Sequence, residues 1–559
     1  MVRQRHLAGT STPLRIAPFT RTTIPTLTLI VSTLTTLAGA EIIKLNDPVP
    51  QTMDRGIVSY VVSPDDQTAV YVMGEFISND IAQTEVYSVP TAGGTSPTLL
   101  SSAPSGDAIG PLVLGSLYPR VSQDGQRVVY LSDAPRGMEL ETLLYSVPIT
   151  GGAETPLSAQ LPANEKAGSF KLVPGSDLVV YLGGDESSPS TTFDLYSVPV
   201  DGSTSPVNLT STVATQPLSN FEITPDGSRV VFIVSDGGRN LFSVPVGGGT
   251  VEQLTTSNDL ESYVQLPNSD TAIYQTRNGT TYELYTVALD GSSAPVRMHP
   301  PLGTDTSAFR PAVVSSDGTM AALLVLNFGS GASQTYIAQT DGSGFNLAHP
   351  GTYEGGLPFA FTQNDTRLLT NLETPGGNQR PHLVDVDGTD PELLSSPIGD
   401  SNSIGSAGVS TGNTGDYLFF LADVQGGSER ELIRYNPADG TFVTPIMENM
   451  TFDTDDPVPT YDFSADDNVI AFVGQTDSAG PSNLYTYSFT EDRLTRINRD
   501  FPTNGNLSYS EALGFEFINS DSAVIYAAEQ DVDFVAELYV NTQSVAPPAT
   551  AQEIWQLYP

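Results

Sequence analysis

The chain has no cysteine, one tryptophan, four histidines and only three lysines, Lys44, Lys166 and Lys171. Without cysteine there is no disulfide framework, no thiolate metal site, no cysteine nucleophile and no acceptor for N-terminal lipidation. Stability has to come from burial and strand pairing. Basic residues are scarce as well, 23 against 64 acidic ones, for a net charge of −41. A surface so negative repels phosphate backbones and anionic headgroups, so neither nucleic acid nor a polybasic membrane contact is expected. The acidity reads as a solvated, self-repelling coat, with cation binding or a salt-rich habitat as the alternative.

Long apolar runs are also missing, with one exception. Arg3, Arg5, Arg15 and Arg21 precede a stretch from Ile24 to Ala40 that ends in Ala38-Gly39-Ala40, the small-x-small pattern of signal-peptidase cleavage. Residues 1–40 are therefore expected to be an export signal, and an uncleaved membrane anchor is the other reading. The protein is placed outside the cytoplasm: periplasmic, cell-surface or extracellular. Beyond this segment three histidines remain, His299, His349 and His382. They form no H-x-x-x-H or H-E-x-x-H pattern and read as isolated structural residues.

What the chain has in quantity is turns, with 50 glycines and 42 prolines, and a repeat. The apolar residue ending the second strand of each unit recurs at Tyr71, Tyr130, Tyr181, Phe232, Tyr274, Leu323, Thr370, Phe420, Phe472 and Tyr526, about every 51 residues. Eleven positions before each anchor stand Tyr60, Pro119, Phe170, Phe221, Tyr263, Ala312, Phe359, Val409, Tyr461 and Phe515. Aromatic residues hold most of these places, which supports the register independently. Each unit reads as four short strands. The first ends in a "SPDD", "SQDG" or "TPDG" turn, the second is "RVVY" or "RVVF", the third is "LYSVP"-like and closes on "GG" or "DG", and the fourth is "VNLT"-like.

Units of four strands at this period are the writing of a radial β-propeller. The S-P-D-G turn, the apolar strand and the "-LY-V---G" strand resemble the TolB-like propeller repeat, part of the wider WD-like class, over roughly 41–543, most clearly in the first five units. The resemblance implies an exported, non-catalytic interaction platform for a protein, peptide or glycan. The expected fold is all-β, with ten blades over 41–543 and a C-terminal tail over 544–559. "EIIKLNDPV", from Glu41 to Val49, is a fourth strand without a unit in front of it, and is expected to complete the last blade and close one ring. Two five-bladed rings dividing near His299–Gly303 are the alternative.

Three motifs carry chemical interest. Gly408 to Gly412 matches G-x-S-x-G, but Ser410 falls in a first strand with no helix following, so a nucleophile is not expected. The acidic loops Asp385–Asp390 and Asp453–Pro457 read as ordinary turn chemistry, with a structural calcium ion as the alternative; no other cofactor is expected. Ten positions before each anchor, on the face opposite the aromatic column, the residues include Arg120, Lys171, Glu222, Asp462 and Glu516. In a propeller this strand borders the central channel. These five are the candidate ligand-binding residues, and inter-blade salt bridging is the competing reading. The expectation is a monomeric binding or scaffolding module, the alternative a secreted lyase or hydrolase working in a polar channel.

Overall fold

The computed structural model describes residues 42–542 apart from connecting segments, the longest being 102–117, 395–413 and 444–460. Residues 1–40, expected to be an export signal, the expected tail over 544–559, the G-x-S-x-G motif and Asp453–Pro457 therefore lie outside the described residues. Among those described there are strands and no helix, arranged as ten antiparallel sheets in sequence order. Nine have four strands, for example Lys166–Leu172, Leu178–Gly184, Phe193–Pro199 and Val207–Asn208 in blade 3. Blade 8 shows three, Leu418–Ala422, Glu431–Asn436 and Thr441–Val443.

The repeated residues each have a physical task. In the first turn Ser63 donates its hydroxyl proton to Asp65 (2.6 Å) and accepts the Thr68 amide (3.0 Å), stapling the hairpin from inside. Ser122, Thr224, Ser315 and Ser464 do the same with Asp124, Asp226, Asp317 and Asp466. At the next strand the register holds: Tyr60 faces Tyr71, Phe170 faces Tyr181, Phe221 faces Phe232 and Phe515 faces Tyr526. The anchors also stack across to the "LYSVP" aromatic, with centroids 5.3 Å apart for Tyr71–Tyr87 and 5.5 Å for Tyr274–Tyr285. Blade 7 departs, because a bulge pairs Pro358 rather than Phe359 with Thr370.

In blades 1 to 5, 9 and 10 the polar residue ending the fourth segment is a cap. Ser101, Ser158, Thr210 and Thr255 accept the amides of Val86, Leu144, Leu195 and Leu241. In blade 5 the acceptor is His299 Nε2, 3.1 Å from the Leu284 amide, and in blade 9 it is Asn498, 2.8 Å from that of Leu484. His299 is thus a structural acceptor in a column of serines, threonines and asparagines.

Ten apolar clusters hold the blades together, and each spans one junction between neighbours. One crosses from blade 5 (Leu266, Leu284, Met298) to blade 6 (Ala308, Leu323), where two separate rings would have parted. Another joins blade 10 (Ile525, Leu538) and Leu45 to blade 1 (Ile57, Tyr71, Val89). The two-ring alternative is overturned, and the protein is one ten-bladed propeller. Ile42–Lys44 pairs antiparallel with Glu537–Asn541, so the N-terminal strand completes the last blade. Asn46 there accepts the Leu538 amide (2.9 Å), the same cap in a strand that the chain laid down first.

The first turns of adjacent blades also touch, in two ways. Gly227 and Gly318 lie so close to the carbonyls of Pro174 and Pro267 that an added Cβ would come within 2.2 and 2.4 Å. Elsewhere an aspartate takes the glycine's place, with φ of 59° at Asp66, 62° at Asp365 and 57° at Asp467. Its carboxylate then reaches the preceding blade: Asp365 accepts from the Ser316 amide (3.0 Å) and hydroxyl (2.6 Å), and Asp467 from the Thr414 amide (2.9 Å). Asp66 accepts from the Asn519 amide (2.9 Å) and so ties blade 10 to blade 1.

Candidate functional site

The first strand of each blade is its inner strand, and its two faces have opposite duties. The aromatic column points back to the preceding blade: Phe221 packs with Val180 and Leu182, and the Tyr60 hydroxyl donates to the Gly514 carbonyl (2.8 Å). The column one residue on points forward. Val61, Val313 and Ala360 join the apolar clusters shared with the following blade. The five charged residues occupy the equivalent places in blades 2, 3, 4, 9 and 10.

Two of them meet. Lys171 Nζ lies 2.8 Å from Glu222 Oε2, bridging blades 3 and 4, and 5.8 Å above the Phe221 ring. Both side chains keep solvent contact, at 38% and 44% exposure. Arg120 stands in the neighbouring inner strand, Arg120–Val121, and is exposed. Blades 2, 3 and 4 thus present two cations and a carboxylate in succession.

Asp462 and Glu516 form a separate group on blades 9 and 10. Asp462 accepts the Phe463 amide (2.9 Å) and, across the junction, the Phe517 amide (3.4 Å). Burial nonetheless raises its carboxyl above the ordinary range, against those bonds and with help from Asp521. Burial pushes Glu516 further, to about 7, and the charges of Asp462 and Asp66 add to it. Tyr60 completes the group from blade 1, its phenol held well above its usual value by burial, then by Glu516 and Asp462. A carboxyl titrating near neutrality can hold or release a proton at the point where the ring closes.

The five charged residues are therefore not one constellation: Lys171 and Glu222 pair, the charge of Asp462 raises Glu516, and Arg120 has no ion-pair partner among the described residues. Tyr60 and Asp66 enlarge the second group. Tyr60 belongs to the aromatic column, and the signal for Asp66 was an aspartate in the place that "PDG" gives to glycine. Of the calcium candidates, Asp387 accepts from the Thr389 amide (2.9 Å) and hydroxyl (2.5 Å), and Asp385 lies 3.1 Å from Arg367. Asp201, Asp290 and Asp341 make the same turn bond, so these carboxylates are engaged as turn residues.

No protein-family model matches the chain, and no curated protein sequence matches it. Among solved structures the chain is similar to an oligogalacturonate lyase in complex with manganese, with 13% identity over 66% of this chain and 98% of that one (TM-score 0.36). The oligogalacturonate lyase of Vibrio parahaemolyticus gives the same values. Porphyromonas gingivalis dipeptidyl peptidase 4 is 12% identical over 73% of this chain and 64% of that one (TM-score 0.43). Likeness at this level gives no ground for carrying an activity across.

Proposed function

We propose that this chain is an exported, non-catalytic β-propeller of TolB-like type that binds a protein, peptide or glycan on its inner strands. One observation carries the reading: Arg120, Lys171 and Glu222 sit on three successive inner strands with their charged ends in solvent contact. An exposed ion pair contributes about 0–1 kcal/mol, so stability is a poor reason to keep charges at a position where other blades place valine or alanine. Recognition of a polar ligand is a better one, because charges held ready in a partly dry site give specificity. The YSVP repeat supports the TolB-like assignment, and the segment from Ile24 to Ala40 supports export. The protein acts as a monomer in this reading.

The test is calorimetric titration of the mature protein against a panel of acidic and neutral glycans and short peptides. Arg120→Ala with Lys171→Ala should abolish whatever binding is found while melting stays within a few degrees of the parent. Binding that survives the double substitution would refute the assignment.

A second reading, a lyase or hydrolase in the channel, is favoured by one observation, the carboxyl of Glu516 raised to about 7 beside Asp462. In that case Glu516→Gln eliminates turnover on the same panel without unfolding the ring, and the joint replacement of Arg120, Lys171, Asp462 and Glu516 does likewise. Binding without turnover in the parent excludes it.

A further inference from the structure

Away from the inner strands, a cleft of about 690 Å³ opens between the outer part of blade 4 and blade 5. Its walls include Gln253 of blade 4 and Asp259, Thr276, Arg277, Glu283 and Tyr285 of blade 5. Thr276 and Glu283 are cross-strand partners, next to the stacked pair Tyr274–Tyr285.

The same place in other blades shows what belongs there. Two residues before the stacking tyrosine stand Glu85 in blade 1, Asp194 in blade 3, Glu283 in blade 5 and Glu537 in blade 10. Glu85 is hydrogen-bonded by Tyr87 and paired with Arg55. Glu537, buried, is bonded by Tyr539 and paired with Lys44. Asp194 accepts from Asn208 (2.9 Å) and Thr210 (2.7 Å) of its own fourth strand. Glu283 accepts from the Tyr285 hydroxyl (3.1 Å), yet among the described residues no cation lies within ion-pair distance of it. Arg297 holds the place of Asn208 and is exposed without pairing to Glu283, while Arg277 turns its guanidinium to the Gly279 carbonyl (2.9 Å). In blade 4 the corresponding pair is Val234 and Asn240, and its junction with blade 3 is filled by apolar packing.

We infer that the cleft between blades 4 and 5 is a binding site for a small ligand bearing a primary ammonium group, which Glu283 receives where Lys44 and Arg55 serve blades 10 and 1. The Tyr285 hydroxyl orients the carboxylate, and its ring and that of Tyr274 form the apolar side against which the ligand's methylene chain lies. Asp259, exposed at the entry to blade 5's first strand, where its carbonyl accepts from the Thr276 hydroxyl (3.2 Å) and the Arg277 amide (3.0 Å), offers a second anionic contact, so a diamine of moderate length matches the cleft. The site is independent of the channel reading.

The experiment is calorimetric titration of the full chain with 1,5-diaminopentane, using 1,5-pentanediol as the uncharged analogue. A single saturable site for the diamine and none for the diol is expected. Thr276→Val with Glu283→Asn copies blade 4 and should weaken binding at least tenfold, with melting lowered only by loss of the Thr276 hydroxyl's bond to the Asp259 carbonyl; Arg297→Ala removes a rival cation and should tighten it. Because the chain is strongly acidic, diffuse diamine binding that the Val/Asn variant leaves intact overturns the inference. So does an absence of heat at millimolar diamine, or binding lost on Arg297→Ala.

Discussion

His299 provides a sharp test of the capping column. Its Nε2 accepts the Leu284 amide at 3.1 Å and its Nδ1–H donates to the Pro300 carbonyl at 2.8 Å, a tautomer that requires the neutral ring. Burial holds the imidazole below its ordinary 6.5, with the charge of Arg297 acting in the same direction. The folded state therefore binds fewer protons than the unfolded one in the window just below 6.5, and stability rises with pH there. The contribution is complete above that value and is lost as pH falls below it. His299→Ala leaves a buried backbone N–H without an acceptor, at a cost of about 1–3 kcal/mol. His299→Asn, the residue that blades 9 and 10 use, should hold the loss below about 1 kcal/mol and remove the acid sensitivity. A ten-bladed ring has many ways to open locally, so the assay is hydrogen exchange of the peptide carrying Leu284 at pH 7.5 and 5.5, with thermal melting beside it. Protection in the parent should fall on acidification by more than the intrinsic exchange rate explains, and the asparagine variant should show no such fall. If both proteins respond alike, or if the alanine variant exchanges like the parent at pH 7.5, the capping argument is wrong.

Other expectations follow from the same repeat comparisons. Gly227→Ala combines a positive φ with a Cβ 2.2 Å from the Pro174 carbonyl, whereas Gly125→Ala has φ +70° and open space; the second should cost about 1–2 kcal/mol and the first clearly more, by melting. Asp365→Ala removes three bonds from Ser316 and Asp317 at a partly exposed junction and should speed exchange in the blade 6 turn, with a loss of about 1 kcal/mol. Arg434 lies between the rings of Tyr417 and Phe489, 4.4 and 4.3 Å from their centroids, so Arg434→Lys should lose about 1 kcal/mol despite keeping the charge. Asn46→Ala uncaps Leu538 in the closing strand and should loosen the joined termini first, seen as proteolysis near residue 42 before global melting.

Blade count and closure were legible because the residues that signal them are those that build them. The turn serines and aspartates, the stacked anchors and the fourth-strand caps recur at fixed offsets, so a register drawn from Tyr71 or Phe232 also locates partners across the sheet. Where the backbone bulges that correspondence slips by one residue, as at Phe359 against Thr370, since nothing in "EGGLPFAF" marks which residue is extra. The charged column was found, but not its direction. Which face of an inner strand looks forward to the next blade depends on how blades twist around the ring, and a single unit contains no trace of that. Of the two readings the sequence leaves open for this column, a ligand-binding lining and inter-blade salt bridging, Lys171 and Glu222 follow the second, as partners across one junction.

The acidic places in this chain separate by the same logic. Asp65, Asp124, Asp226, Asp317 and Asp466 are carboxylates held below their ordinary range by the turn that each one staples, Asp466 against some burial. Their contribution to stability is present above the unfolded value near 3.8 and disappears as pH falls through the lower folded values. Glu516 and Asp462 move the opposite way, being raised by burial, and their ionisation costs stability as pH rises. The turns want the carboxylate and the closing junction wants the acid, so a ring made from one repeated sentence meets two opposed demands on pH. The demand for the proton comes from inner-strand residues at the junctions between blades 9, 10 and 1, where valine or alanine would have packed without cost, as at blades 1, 6 and 7. A position that holds a half-buried carboxyl where its own repeat offers an apolar solution is the part of the ring that folding alone does not explain.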